Sequence, residues 1–529
     1  MFRHIRNGIV GSTALALVSA AALAATPPDM LVIGTDVGAI PTLDPAALNA
    51  RTVSELVSNL YDNLLKLDPD DLQSIQPMLA LSWEVAPDSS SITLKLRDDA
   101  TFASGNPVTA EDAAWTIQRV IKLGQVGATD LAQWGFTADN VEQLVRAEDE
   151  RTLVIELPEQ VSTDLVLYSL AGSSLGIIDR KAALEHETDG DLARDWLRAN
   201  AAGSGPFTLV EWRPDDIVVT ERREDYWGGT PAMRRVIMRH VPESGNLRLQ
   251  LEAGDVDIGQ YVGSGDLEAL AGNEDMEIQH TPGFGFYYIA LNQKDPDLSK
   301  PKVREAFQHV LDWEALSQSS MRFNGFPWQS IIPRGMAGAP EEFEEHFAYD
   351  PERARELLAE AGYPDGLKKK LYPAGDGHLL NAESLQATAR LAGIELELIP
   401  GNHVPEFRAR DFEVYTGNSG GRLPDPFATA THYAFNPDNS DEAQLSGYYM
   451  WRTAWDVPEL TELTNESKRE SDPEKRAQIF REMDEMYQQL DPSLIVFFQR
   501  VDPYVVRAEV EGYVGHPTWS TRWADVTKN

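Results

Sequence analysis

The sequence predicts an α/β or α+β protein of at least two lobes, on three observations. Strand-like and helix-like segments interleave along the whole body without a repeat of fixed period. Hydrophobic content of 42% with 12 Trp supplies large packed cores rather than disorder. Gly/Pro punctuation divides the body at Gly203-Ser204-Gly205-Pro206 and again at Pro282-Gly283, just before the aromatic run Phe284 to Tyr288.

The first 24 residues predict an export signal. Arg3, His4 and Arg6 form a basic start, Ile9 to Leu23 is apolar, and Ala22-Leu23-Ala24 offers an A-x-A cleavage site. The stretch is too short and wrongly flanked for a membrane span, and no Cys near the cut could carry a lipid anchor. Cleavage near Ala24 leaves roughly 505 residues, enough for two or three domains, expected in the periplasm without a direct membrane anchor.

Leu31 to Thr35 is the first predicted strand, and Thr52 to Leu65 has helical apolar spacing. Ile92, Leu94 and Leu96 alternate with polar residues as a half-buried strand does, and Leu153, Ile155 and Leu157 repeat the pattern. Between them Thr109 with Asp112 resembles an acidic capping box opening a helix from Glu111 to Ile121. Phe207 to Val210 and Ile217 to Thr220 resume strand character. Asp350-Pro351 starts a helix ending before Gly362. Asp472-Pro473 starts another, with Ile479, Phe480, Met483, Tyr487 and Leu490 as its apolar stripe, and Leu494 to Phe498 is a short buried strand.

Zero Cys removes disulfides, thiolate metal sites and thiol nucleophiles together. A net charge of −38 repels phosphate backbones and anionic headgroups, so nucleic acid is not an expected partner. Such acidity serves solubility or a saline habitat. Gly172-Ser173-Ser174-Leu175-Gly176 and Gly417-Asn418-Ser419-Gly420-Gly421 match the serine-hydrolase elbow, yet neither feeds a convincing helix. There is no H-E-x-x-H, no phosphate-cradling G-x-x-x-x-G-K and no G-x-G-x-x-G, so no catalytic residue, metal or cofactor is expected. Large aromatics near the presumed boundaries, among them Trp134, Tyr415 and Trp519, suit either core packing or a concave ligand pocket.

A series of blocks carries a resemblance: Leu43-Asp44-Pro45, Asn59 to Leu65, Gln76 to Asp88, Phe102 to Asp112, Gly203 to Phe207, Asp225 to Gly229, Leu291 to Gln293, Asp350 to Arg355 and Ala361 to Gly366. In this order they resemble the family 5 (peptide/nickel-type) extracellular solute-binding proteins of ABC importers. The resemblance implies a type II, peptide-binding-protein-like clamshell of two α/β lobes with an extra subdomain inserted in lobe I. Lobe I would comprise 28–68, 203–282 and 503–529, the inserted subdomain 69–202, and lobe II 283–502. It also implies a monomer that encloses a peptide or other small solute and delivers it to a membrane permease.

By the same resemblance, Tyr415 to Pro426 corresponds to a cleft segment of the family. Asp425-Pro426 is retained, Ser419 stands where Trp is usual, and Arg422 stands where peptide binders place Asp. A guanidinium there would repel an α-ammonium and suit a carboxylate or phosphate, so the cargo is expected to carry an acid group. The ligand-binding candidates are therefore Arg422, Ser419, Asn418, Trp134, Ser173, Ser174, Tyr415 and Trp519. An exported hydrolase and a signalling co-receptor are the alternatives.

Overall fold

The computed structural model describes residues 26–529 except 49, 70, 72 and 422. The export signal and Arg422 thus lie outside the described residues. An 11-stranded sheet runs through the molecule. Each half of it contains a parallel unit, and beyond one of them the sheet continues into the antiparallel strands Ile217–Arg222 and Phe207–Arg213. In that unit, Met30–Thr35 pairs in parallel with Arg235–His240 and Ile258–Gln260; in the other, Leu367–Pro373 pairs in parallel with Ile394–Leu398 and Val414–Asn418. Two long antiparallel strands, Met276–Leu291 and Leu494–Arg507, belong to both halves and join them.

Burial on both faces explains why the segments Phe284 to Leu291 and Leu494 to Phe498 of the long strands read as apolar runs. Along the first, Phe286, Tyr288 and Ala290 enter one core while Tyr287, Ile289 and Leu291 enter another. The opposite end of the sheet is sandwiched likewise. Leu31, Ile33 and Val236 pack with Arg51–Leu60 on one side, and Val32, Leu247 and Leu251 form the core on the other. Each end is therefore a lobe with its own covered sheet.

A separate four-stranded antiparallel sheet lies between 80 and 156 in the chain. Ala110–Leu123 packs on it, opened by the capping box expected from the sequence: Thr109 and Asp112 each bond the other's backbone N–H. This small-sheet region shares a core with the second lobe, where Trp134 meets Phe427 at 5.6 Å between ring centroids.

Several elements differ from their expected extents; the strands expected over Phe207 to Val210 and Ile217 to Thr220 run on to Arg213 and Arg222. The helix expected through Leu65 ends at Leu60, because Tyr61 is extended and Asp62 is drawn into a buried polar network. The strand expected to end at Phe498 continues to Arg507, since its second half pairs with 276–282 and 258–260. Leu490, expected on the apolar stripe, lies one residue past the end of Pro473–Gln489 and is 39% exposed. The boundary at Pro282-Gly283 is not a chain linker but a break in register within one strand.

Candidate functional site

The two long strands lose register between Pro282 and Phe286. Ser419 repairs the ladder there: its N–H donates to the Phe286 carbonyl at 2.8 Å, and its hydroxyl accepts the Phe286 N–H at 2.8 Å. Backbone approach is so close that a Cβ on Gly285 would sit 2.0 Å from the Ser419 carbonyl oxygen. Gln499, 1% exposed, ties the break to the second lobe. Its Nε2 donates to the Gly283 carbonyl at 2.9 Å, and its Oε1 accepts the Arg334 backbone N–H at 2.8 Å.

Beside this joint lies a cavity of about 530 Å³, in the ordinary range for small-molecule sites. One wall is the 277–282 half of the first long strand with Val514, Gly515 and Pro517; the other carries Arg334, Met336, Pro424 and Gln499. A second cavity of about 310 Å³ shares Pro69 and Val514 with the first and is lined by Lys66, His516 and Arg522. A third, of about 40 Å³, lies where three parts meet: Asp130, Ser173 and Ser174 from the small-sheet region, Leu423 from the second lobe, and Thr518 from the C-terminal segment.

Buried charge networks hold these walls. Asp62, fully buried, accepts from Tyr226 Oη at 3.0 Å, Trp227 Nε1 at 2.8 Å, Ser204 Oγ at 3.2 Å and Arg522 at 3.0 Å. Arg522 in turn stays charged although burial opposes it, because Tyr226 and Asp62 lie beside it. Asp502, on the second long strand, accepts from Arg500 at 2.6 Å and Trp519 Nε1 at 3.2 Å and lies 3.7 Å from Arg51. Burial raises the Asp502 carboxyl, but Arg500 and Arg51 outweigh it and leave it below the usual carboxylate range. Burial drives the His516 imidazole down to about 4, against an opposing bond to the Leu67 carbonyl. Its neutral Nδ1 faces the hydroxyls of Thr518 and Ser520, organising the C-terminal loop at the cavity edge.

The candidate residues part company here. Ser173 and Ser174 line the third cavity, and Ser174 Oγ donates to Asp130. Trp519, at φ +64°, sits between the cavity-lining Thr518 and Ser520 and donates to Asp502. Trp134 is instead a core residue: it is fully buried, and its Nε1 donates to Ser169 Oγ at 3.0 Å. Tyr415 is likewise in the second lobe's aromatic core, stacked on Phe407 at 4.2 Å. Ser419 serves the strand break, and its hydroxyl also accepts from Tyr433 Oη at 3.0 Å. Asn418 bonds the Tyr287 side chain. The retained Asp425 caps Pro426–Tyr433 and pairs with Arg476 in buried, bidentate geometry at 2.5 and 2.7 Å. Gln499, Arg334, Asp62 and Asp502 were not singled out from the sequence. For Gln499 the available signal was a polar residue closing the run Leu494 to Phe498.

Among the described residues there is no group of His, Asp or Glu able to hold a metal ion, and no helix is long and apolar enough to cross a membrane. A sequence profile of the bacterial extracellular solute-binding proteins, family 5 Middle, matches residues 74–441. The chain belongs to this family. This family 5 protein is similar to the probable D,D-dipeptide-binding periplasmic protein DdpA of Escherichia coli (strain K12), 28% identical over 518 residues and 96% of each chain. Among solved structures, HbpA2 from Haemophilus parasuis superposes with a TM-score of 0.79 at 22% identity, covering 94% of this chain and 100% of its own. AgaA from A. tumefacien R10, in complex with agropinic acid, gives a TM-score of 0.72 at 22% identity, covering 94% and 99%. Both share its two-lobed α/β fold.

Proposed function

We propose that this family 5 solute-binding protein encloses an acid-bearing peptide or small solute between its lobes in the periplasm and passes it unaltered to an ABC permease, catalysing no reaction itself. The observation that carries the reading is the cavity of about 530 Å³ whose two walls come from the two lobes, directly beside the strands that join them. A ligand there touches both halves, so closing the lobes improves its contacts and opening releases it. The acid preference rests on Arg422, which by the family resemblance takes the position of a cargo-contacting Asp. In this reading 69–202 is a subdomain inserted in lobe I, which itself comprises 28–68, 203–282 and 503–529, and 283–502 is lobe II.

Native mass spectrometry of freshly purified protein tests the reading. A co-purified compound of small mass, intact and bearing a carboxylate or phosphate, is the expected result. A compound that is turned over by the protein contradicts it and favours an exported hydrolase.

A further inference from the structure

The larger cavity holds an arginine whose charge the protein leaves open. Arg334 lines the cavity, is exposed there, and makes no ion pair among the described residues. Its backbone is nonetheless fixed. The Met336 N–H closes a turn onto the Pro333 carbonyl at 3.1 Å, with Gly335 at φ +84° as a type II turn requires. Gln499 anchors the Arg334 N–H, and Asp484 anchors the preceding segment by accepting from Ile331 N–H at 3.0 Å. The guanidinium lies 5.7 Å from the Phe326 ring centroid, which limits where it can swing.

Asp71 and Glu277 line the same cavity. In a protein of net charge −38, an anion entering the cleft meets a repulsive field. A preset guanidinium, planar and rich in donors, provides the local attraction that makes such an entry favourable. The two carboxylates then set the orientation: an acid group is driven away from them and onto Arg334.

We propose that Arg334 is the specificity residue that receives the acid group of the cargo in the joint-side cavity. This rests on the receptor reading above and adds to it a contact at a position distinct from Arg422.

The test is a binding panel of matched pairs: dipeptides, N-acyl dipeptides and sugar acids, each against its own amide. Dissociation constants are measured by calorimetry on the full mature chain as wild type, Arg334→Gln and Arg422→Gln. At least one acid is expected to bind the wild type roughly 10- to 100-fold more tightly than its amide, the range of one hydrogen-bonded charge contact. Arg334→Gln abolishes that preference with little change for the amide, and Arg422→Gln preserves a measurable preference. A preference retained in Arg334→Gln overturns the assignment. Equal binding of acids and amides by the wild type also overturns it, and with it the acid preference of the receptor reading, while leaving enclosure between the lobes intact; binding of no member of the panel contradicts the enclosure as well. Because Arg334 is exposed, an unchanged thermal melt of Arg334→Gln certifies that the variant is folded.

Discussion

Two of the contacts between the halves of the molecule are built differently. At the joint, the connection is covalent and ladder-bonded: both long strands pass through it, and Gln499 bonds the strand break to the Arg334 turn. At the far contact, among the described residues, the small-sheet region touches the second lobe through side chains and one backbone bond. Lys468 pairs with Glu159 at 2.7 Å, the Ser162 N–H donates to the Lys468 carbonyl at 2.8 Å, and Trp134 packs on Phe427. Asp164 faces Arg476 across the same seam, and burial raises its carboxyl against the opposing pull of that guanidinium. A joint that persists and a seam that can part are what hinged closure requires. The cavities lie on the surfaces the two contacts bring together.

Removing Asp425 should hurt most. Asp425→Ala strands the buried Arg476 guanidinium behind the seam, a loss of about 3–5 kcal/mol for a broken buried pair, measured as a shift in urea unfolding. A pH series should follow. His516 is held near 4 in the fold and titrates near 6.5 when unfolded, so the unfolded chain takes up the proton first. Its contribution is full above pH 6.5 and is lost as the pH falls toward 4, on the order of 3 kcal/mol. His516→Gln should flatten that part of the stability curve, and an unchanged curve would remove His516 from the account.

Gln499→Leu sharpens the comparison from the joint side. It leaves the Gly283 carbonyl and the Arg334 N–H without partners, at about 1–3 kcal/mol. It should also weaken ligand-driven compaction in scattering, whereas a mere packing role would change the melt alone. Lys468→Met acts at the seam and should change global stability by less than about 1 kcal/mol, because the pair is partly solvated. Its readout is the open fraction without ligand, which should rise while the urea midpoint barely moves.

Local chemistry was legible in the sequence wherever it is self-contained. Thr109 with Asp112 and Asp350 with Pro351 mark helix starts because a cap is decided within four residues. The long strands were not legible as joints. Their apolar runs say only that both faces are buried, and the register break at Pro282 depends on Ser419 and Gln499, which are distant in sequence. The candidate site divides on the same line. Ser173 and Ser174 line a cavity, and Trp519 stands between two residues that do. Trp134 and Tyr415 went to cores, since a large ring carries no local sign of which apolar surface it will meet. Arg334 was invisible because an arginine beside a glycine in a turn is indistinguishable from solvated charge until the opposite wall is in place.

Small-angle scattering of the protein, before and after addition of its co-purified compound, tests hinged enclosure most directly. The account predicts a smaller radius of gyration with the compound bound and recovery of that compound unchanged. A particle whose dimensions ignore the compound, or a compound recovered as a different molecule, would contradict it.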